Sequence, residues 1–279
     1  MLVALNTNKE RVYADEVNRR TKDGELIPYF CPDCGARLTL RKGAVRLHHF
    51  SHKEGNDVCI YRKGGGESIY HDKMKASIKR IIERDNKVLK SELEWRIGSR
   101  VADYYFRIKD EWGNVCPVAV ECVYAHEDIT EFRKKTEYYD RRGIYVLWIF
   151  NLKRFLDEDG DFKEEININS ILKEAHTLYF GKVFAIDVEN DVIYAIHFNP
   201  IKREIDSYTK INWDAWDGES DPEDYAETVG GGYRYLKSKK SLRIAYNPEF
   251  KVDSFSVKRR DKFLPYDRRI AAPYIKKFW

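Results

Sequence analysis

The sequence has no glutamine, only five cysteines and two methionines, and no long apolar run among its 279 residues. No stretch approaches the roughly 18 apolar residues of a membrane span, and the N-terminus lacks the apolar core of a signal peptide. We therefore expect a cytoplasmic protein with no membrane partner. Five cysteines do not make a disulfide framework. With 43% hydrophobic and 14% aromatic residues the chain is not disordered and can bury a core.

The charges nearly cancel over the whole chain but are segregated along it. The formal net charge is +4, whereas residues 206–229 carry −7 and residues 230–279 carry +10. A basic segment after an acidic one is typical of a surface that binds polyanions, and solvated surface is the ordinary alternative.

Three of the five cysteines cluster near two histidines in the segment 31–59. A CxxC pair with Pro and Gly around it favours a tight turn that aims both thiolates at one point, as in zinc sites. The alternating residues that follow predict a hairpin that returns the histidines to the cysteines. The expected ligands of a closed, structural zinc site are Cys31, Cys34, His52 and Cys59, with His49 as the alternative to His52. Residues 1–63, which begin with two short strands, would form this small zinc-binding β module.

A helix is predicted after a glycine-rich linker. Apolar residues from Ile69 to Ile82 recur along one stripe, and Ser68 is placed to begin the helix. Glu67, His71 and Lys75 are spaced by four residues and share a face. Such a polar row is either a solvated edge or part of a site.

Three predicted strands follow at residues 88–97, 101–108 and 117–124, then a helix ended by Gly143 and a continuous apolar strand. This order predicts an α/β fold. Asp103 lies in the second strand and Glu121 in the apolar third strand. A buried carboxylate is costly unless it is paired or binds a cation, so the two acids predict a Mg²⁺ or Mn²⁺ site. Structural ion pairs, Asp103 with Arg100 and Glu121 with a lysine, are the alternative.

The ordered segments CPDCG, HHFSH, GESIYHDKMK, RVADYYF, VAVECVY and ITEFRKKTEYYDRRGIYVLWIF resemble the CoiA-like competence proteins, whose central domain belongs to the PD-(D/E)xK nuclease class. The resemblance implies a zinc-ribbon-like module followed by a restriction-endonuclease-like mixed sheet flanked by helices at 64–155, with an α/β extension at 156–205. It implies that Mg²⁺ or Mn²⁺ is bound by Asp103, Glu121 and Glu67. His71 and Lys75 would complete the motif of the first helix.

One position departs from the family pattern. The class usually has Lys, or in this family Gln, two residues after the strand glutamate, where it orients the attacking water. Here that position is Val123, and the chain has no glutamine to replace it. Lys134, Lys135 or Lys75 could supply an amine, and Lys135 aligns best with a basic position of the family helix. The alternative is a protein that binds DNA but cuts it slowly or not at all.

The C-terminal part is harder to interpret. Residues around 176–200 predict two more strands joined by a turn at 189–191. The acidic segment 206–229 is expected to be a loop or a site for a protein partner. The tail 230–279 interleaves basic and aromatic residues, which is how single-stranded nucleic acid is held. Packing of this tail on the acidic segment is the alternative.

The leading hypothesis is a metal-dependent nuclease that hydrolyses DNA phosphodiesters, in DNA uptake and recombination or in anti-phage defence. DNA would bind through the zinc module and the basic tail. The second hypothesis is a weakly active or inactive adaptor that presents DNA to a recombinase or helicase. A protein-binding module that uses the acidic segment is the third.

Overall fold

Two large β-sheets and a separate two-stranded sheet organise the described residues in the computed structural model. The structure describes residues 1–44, 46–52, 59–61, 68–84, 88–109, 113–124, 128–179, 181–246, 255–259 and 269–273. In these residues a five-stranded sheet lies near the N-terminus and a larger ten-stranded sheet follows it. None of the described helices combines the length and apolar character needed to cross a bilayer.

The smaller sheet forms the N-terminal module. Its strands are β1 (Val3–Leu5), β2 (Arg11–Tyr13), β3 (Tyr29–Phe30), β4 (Arg37–Arg41) and β5 (His49–His52), in the order β2-β1-β3-β4-β5. Alternation in β4 buries Leu38 and Leu40, which pack with Tyr29 and Phe50 in a separate small core. The pairing of β4 with β5 sets Leu38 opposite His52, so the expected hairpin is present.

The predicted order of helix, three strands, helix and strand is found in the larger unit. The elements are α1 (Ile69–Glu83), β6 (Val88–Ile97), β7 (Arg100–Lys109), β8 (Val115–Val123), α2 (Ile129–Asp140) and β9 (Tyr145–Asn151). The hydroxyl of Ser68 accepts a hydrogen bond from His71 N and caps α1, while the carboxylate of Asp128 caps α2. Strands β6, β7 and β8 are antiparallel, and β8 pairs with β9 in parallel. The predicted fold class, a mixed α/β sheet flanked by helices beside a small Cys/His β module, is confirmed.

The sheet continues beyond β9. The chain runs through a 3₁₀ turn (Leu152–Phe155), β10 (Glu165–Asn167), α3 (Ser170–Leu178), β11 (Val183–Asp187) and β12 (Val192–Glu204). Strand β11 pairs in parallel with β9 and antiparallel with β12. The turn between β11 and β12 contains Asp191, in the left-handed region at φ 52°.

Strands also occupy the segment expected to be an acidic loop. Its hairpin consists of β13 (Ser207–Ile211) and β14 (Ala226–Gly230), separated by a short 3₁₀ turn at Pro222–Tyr225. The first part of the expected tail is β15 (Tyr233–Tyr246), which lies between β12 and β10 in the large sheet. Leu242 and Ile244 of β15 pack against the core. Because alternate residues of a strand point to opposite faces, this otherwise basic segment has one apolar face. β15 therefore joins the sheet of the 156–205 segment across the boundary predicted at residue 205, and the domain boundaries themselves stay predictions.

Two short strands complete the large sheet. They are β16 (Phe255–Arg259) and β17 (Arg269–Pro273), which pair with each other, and β17 also pairs with β9 at Val146.

The N-terminal module contacts the larger unit along β6. The buried carboxylate of Glu94 accepts hydrogen bonds from the backbone N–H groups of Leu2 (2.9 Å) and Val3 (3.3 Å). Arg11 donates to the carbonyl of Leu93 at 2.6 Å, and Tyr61 donates to the carbonyl of Glu94 at 2.8 Å. These bonds satisfy polar groups that burial would otherwise leave unpaired.

Candidate functional site

Four donor atoms of the N-terminal module converge on one point. They belong to Cys31, Cys34, His52 and Cys59, and all lie within 4.8 Å of one another. The Sγ atoms of Cys31 and Cys59 are 3.5 Å apart, and the Nε2 atom of His52 lies 3.4 Å from Cys34 Sγ and 3.6 Å from Cys59 Sγ. A zinc tetrahedron with bonds of about 2.0–2.3 Å has edges of about 3.3–3.8 Å. The donor set and its spacing are compatible with structural zinc.

The cysteine turn is shaped by its own backbone. Gly35 adopts φ 69°, its N–H donates to the carbonyl of Cys31 at 3.0 Å, and the N–H of Cys31 donates to the carbonyl of Ala36 at 2.8 Å. Burial raises the pKa of the Cys31 thiol to about 12, so its thiolate needs a compensating cation. His49, the alternative ligand, is outside the four-atom group, and its Nδ1 lies 2.9 Å from the carbonyl of Leu47.

A second cluster joins the first helix to two strands of the large sheet. Asp103 Oδ2 on β7 lies 3.1 Å from His71 Nε2 on α1 and accepts a hydrogen bond from Cys122 N on β8 at 2.8 Å. Burial raises the pKa of Asp103, but the positive charge of His71 and its hydrogen bond outweigh that effect and hold the pKa well below its usual range. The carboxylate is therefore ionised. His71, Asp103 and the Cys122 thiol place three ligand atoms within 4.8 Å, close enough to hold a metal ion.

Glu121 is bonded from the next helix. It is 2% exposed, its Oε2 accepts from Lys135 Nζ at 3.1 Å, and its Oε1 accepts from the hydroxyl of Tyr139. Lys135 and Tyr139 are four residues apart on α2 and share the face that meets β8. Burial raises the pKa of Glu121 to about 7; Lys135 opposes this shift and the charge of Asp103 adds to it. A second cation beside this carboxylate would favour its ionised form.

The remaining predicted residues lie elsewhere or outside the described residues. The fully buried Lys75 amine lies 2.7 Å from Glu94 and 3.3 Å from Asp72, while its charge contributes to the low pKa of Asp103. Glu67 lies outside the described residues. Val123 is buried at the position where the resemblance implies Lys for the nuclease class or Gln for the family.

Lys134, the other lysine considered on α2, is exposed, whereas Lys135 is bonded to Glu121. Arg100, the partner considered for Asp103, pairs with Glu131 instead. Of the two structural ion pairs considered, the one between Glu121 and a lysine is therefore present.

Sequence reasoning missed three residues of this region: Tyr139, Cys122 and Glu94. The i+4 spacing of Tyr139 from Lys135 was an available signal, since both residues had to share a helix face. Cys122 and Glu94 gave no comparable signal, because their contacts depend on the pairing of distant elements.

Comparison with known proteins follows the same division of the chain. The family model described as "Competence protein CoiA, N-terminal domain" matches residues 11–61, and that described as "Competence protein CoiA, nuclease-like domain" matches residues 67–205. The chain belongs to the CoiA-like family. Residues 67–205, which form most of the larger sheet, are thus a nuclease-like domain, as the resemblance implied.

One curated relative is the competence protein CoiA of Bacillus subtilis (strain 168). It is 28% identical over 128 residues, which are 45% of this chain and 32% of the relative. The match therefore spans about a third of the relative's length. No solved structure gives a significant match.

Proposed function

We propose that this protein is a metal-dependent nuclease that hydrolyses DNA phosphodiester bonds. The observation that carries the proposal is the 3.1 Å contact between Lys135 Nζ and Glu121. In a chain with Val123 at the usual strand position, this amine lies beside the strand glutamate, where a residue that orients water is needed.

Asp103 and Glu121, with Glu67, would hold Mg²⁺ or Mn²⁺, which when bound polarises the scissile phosphate and lowers the pKa of the attacking water. Both oxygens of Glu121 accept hydrogen bonds, yet a carboxylate offers about four lone-pair directions and can still bind a cation. The donor set of two carboxylates on adjacent strands suits such a hard ion.

The other side chains have positioning roles in this proposal. The Lys135 ammonium group, which can only donate hydrogen bonds, would donate one to the attacking water. This bond would hold the water in line with the phosphorus atom. His71 would fix the Asp103 carboxylate, which it contacts at 3.1 Å. Tyr139 would hold Glu121 from the other side. A direct catalytic role for Lys75 stays a prediction, because its amine is bonded within the protein.

The biological setting proposed is DNA uptake and recombination, following the family name, with anti-phage defence as the other setting for such a nuclease. Structural zinc at the Cys/His cluster would hold the N-terminal module, which with the basic segment 230–279 would contact DNA. The acidic segment 206–229 exposes Trp213 and Tyr208 and is proposed as a site for a protein partner.

A DNA-binding adaptor without nuclease activity is the second candidate. It is favoured by the burial of Glu121 between Lys135 and Tyr139, since these bonds alone could satisfy the carboxylate as a structural ion pair. Under this reading DNA binding depends on salt, and no divalent metal supports cleavage.

The test is a cleavage assay on labelled single-stranded and double-stranded DNA with Mg²⁺, Mn²⁺ or a chelator. Asp103→Ala and Glu121→Ala should each abolish cleavage and leave DNA binding largely intact. Asp214→Ala, which removes an exposed acid from the acidic segment, is the control and should cut like the wild type. Cleavage retained by both site variants would overturn the nuclease proposal, and binding without cleavage by the wild type would favour the adaptor.

A further inference from the structure

A stacked pair of tyrosines lies beside the candidate site. Tyr70 immediately precedes His71 on α1, and Tyr124 follows the last residue of β8. Their ring centroids are 5.5 Å apart and the ring planes are nearly parallel, at 7°. Tyr124 is 37% exposed, so part of its ring is accessible from solvent.

Two lysines contact Tyr70, the inner ring of this pair. The Lys153 amine donates to the hydroxyl of Tyr70 at 2.6 Å and lies 4.1 Å from the centre of its ring. The Lys73 amine is 5.7 Å from the same ring and pairs with Glu189 at 2.8 Å. Glu189 is 64% exposed, so this ion pair is weak and a phosphate could replace its carboxylate.

Aromatic faces and ammonium groups together match the chemistry of an unpaired nucleotide. A base stacks on the ring, and the lysines contact the adjoining phosphates. Bases in a duplex are already stacked and paired, so an aromatic platform of this kind discriminates against double strands. Cation–π contacts alone could hold the two lysines on the Tyr70 ring, but they would not require the Tyr124 ring to be exposed.

The position of the pair relative to the candidate site points to the substrate. Tyr70 adjoins the residue that contacts Asp103, and Tyr124 lies three residues after Glu121 on the same strand end. We propose that Tyr70 and Tyr124, with Lys73 and Lys153, form a subsite for an unpaired nucleotide next to the phosphate that is cut. The substrate is then a single strand or a frayed strand end. This assignment of substrate rests on the proposed nuclease function, whereas binding at the subsite does not.

Binding can be measured separately from cleavage by fluorescence anisotropy in the presence of a chelator. The probes are a labelled single-stranded oligodeoxynucleotide and a blunt duplex of the same sequence. Wild type should prefer the single strand. Tyr124→Ala and Tyr70→Ala should weaken single-strand binding about tenfold or more, and Tyr124→Phe, which keeps the ring, should restore it. Leu89→Ala, which removes a 51% exposed side chain on β6, is the control and should bind like wild type.

The lysine variants should differ from the tyrosine variants in the salt dependence of binding. Lys73→Ala and Lys153→Ala should each reduce the slope of log K against log salt by about 0.7, the value for one phosphate contact with a single strand, while the tyrosine variants should keep the wild-type slope. A fluorescent base analogue in the oligonucleotide should be quenched on binding to wild type and not to Tyr124→Ala. Circular dichroism of each variant confirms that the fold is retained.

The possible outcomes separate the two proposals. Unchanged binding by both tyrosine variants, equal affinity for the duplex, or no nucleic-acid binding by wild type would overturn the subsite. Loss of single-strand binding in the tyrosine variants, with no cleavage by wild type under any metal, would support the subsite and overturn the nuclease function. Cleavage by wild type, with an unchanged KM in Tyr124→Ala, would support the nuclease function and overturn the subsite.

Discussion

An amine supplied from α2 instead of β8 changes how the carboxylate site depends on its surroundings. On the strand, a residue two positions after Glu121 would be fixed by the sheet. On the helix, Lys135 reaches Glu121 only because α2 packs with Tyr139 and Phe132 against β8 and β9. The site geometry is thus set by helix packing.

Replacing Lys135 tests this dependence. Lys135→Ala should lower the cleavage rate about a hundredfold or more, because no other described side chain donates an amine to Glu121. Single-turnover cleavage with saturating Mg²⁺ measures the chemical step.

Lys134→Ala is the matched control, since it removes an exposed lysine from the adjacent position of α2. It should leave the rate within about twofold of wild type. Adding Val123→Lys to Lys135→Ala should recover part of the activity by placing at the strand position the lysine that is usual in the nuclease class. Equal rates for Lys135→Ala and wild type would remove Lys135 from the mechanism.

Cys122 gives the site a softer donor than Mg²⁺ prefers. Its thiol lies within 4.8 Å of the ligand atoms of His71 and Asp103, and imidazole and thiol donors bind transition metals better than Mg²⁺. We expect Mn²⁺ to support cleavage at a lower concentration than Mg²⁺, and Cys122→Ser to narrow that difference. The measurement is cleavage activity titrated against Mn²⁺ and against Mg²⁺. If the ratio of the two half-maximal concentrations is the same in Cys122→Ser as in wild type, the thiol is excluded as a metal ligand.

At the scale of elements, the β11–β12 turn holds α1 in place. Asp191 accepts hydrogen bonds from Ser77 at 2.6 Å and from Arg80 at 2.7 and 2.8 Å, and Arg84 pairs with it at 3.2 Å. Burial raises the pKa of Asp191, but the bonds from Arg80 and Ser77 outweigh it and the pKa is lowered. The helix that carries His71 is therefore tied to the turn between β11 and β12.

Asp191→Asn should reduce the free energy of unfolding by about 1 kcal/mol at pH 7. Asparagine tolerates the left-handed backbone of this turn, so the loss reports charge and not strain. Because the folded pKa is depressed, the contribution is present above the ordinary value of 3.8 and is lost as pH falls through the lower, folded pKa. Urea unfolding at several pH values should show the difference between the two proteins shrinking at acid pH.

A double-mutant cycle with Arg80→Ala isolates the pair. The two substitutions should be less than additive, since either one removes the same interaction. Full additivity would show that Arg80 does not stabilise the turn through Asp191.

The elements with clear periodicity were predictable from sequence, and those whose role depends on distant pairing were not. The apolar stripe from Ile69 to Ile82 and the alternating or continuous apolar strands gave the helix and strand order of the nuclease-like domain correctly. β15 was missed because its charged residues dominate its composition, while only Leu242 and Ile244 reveal the face that packs on the core. The role of Glu94 was not predictable, because two of the groups it binds, the backbone N–H groups of Leu2 and Val3, are about ninety residues away in sequence.

In the candidate site, residue types and spacing predicted the Cys/His cluster, and they placed the two acids on adjacent strands, whose role as metal ligands stays a prediction. The contacts of Lys75 could not be predicted in this way. Its place four residues after His71 suggested a shared surface, yet the amine is fully buried against Glu94 and Asp72.

At the scale of the whole molecule, the Cys/His cluster is linked to the nuclease-like domain. Asp33, between the two cysteines of the CxxC pair, accepts a hydrogen bond from Ile60 N at 2.8 Å and pairs with Arg96 on β6. Loss of zinc from the cluster should therefore destabilise the nuclease-like domain as well as the N-terminal module. Cys59→Ser should lower Tm by about 5 °C or more, with a single unfolding transition.

Calorimetry measures Tm and the number of unfolding transitions, and metal analysis measures the zinc content. Cys116→Ser, which alters a buried cysteine of β8 outside the cluster, should keep the wild-type zinc content. Two separate transitions in Cys59→Ser would show that the module and the domain unfold independently.

The hydrogen bonds that Glu94 receives from the first strand have a practical consequence for dissecting the protein. They cross between the two sheets without using the covalent connection, as do those from Arg11 and Tyr61. A chain cleaved by a protease between residues 61 and 68 should then remain a single particle during gel filtration. Fragments prepared apart should reassociate on mixing, and Glu94→Ala should prevent that complementation.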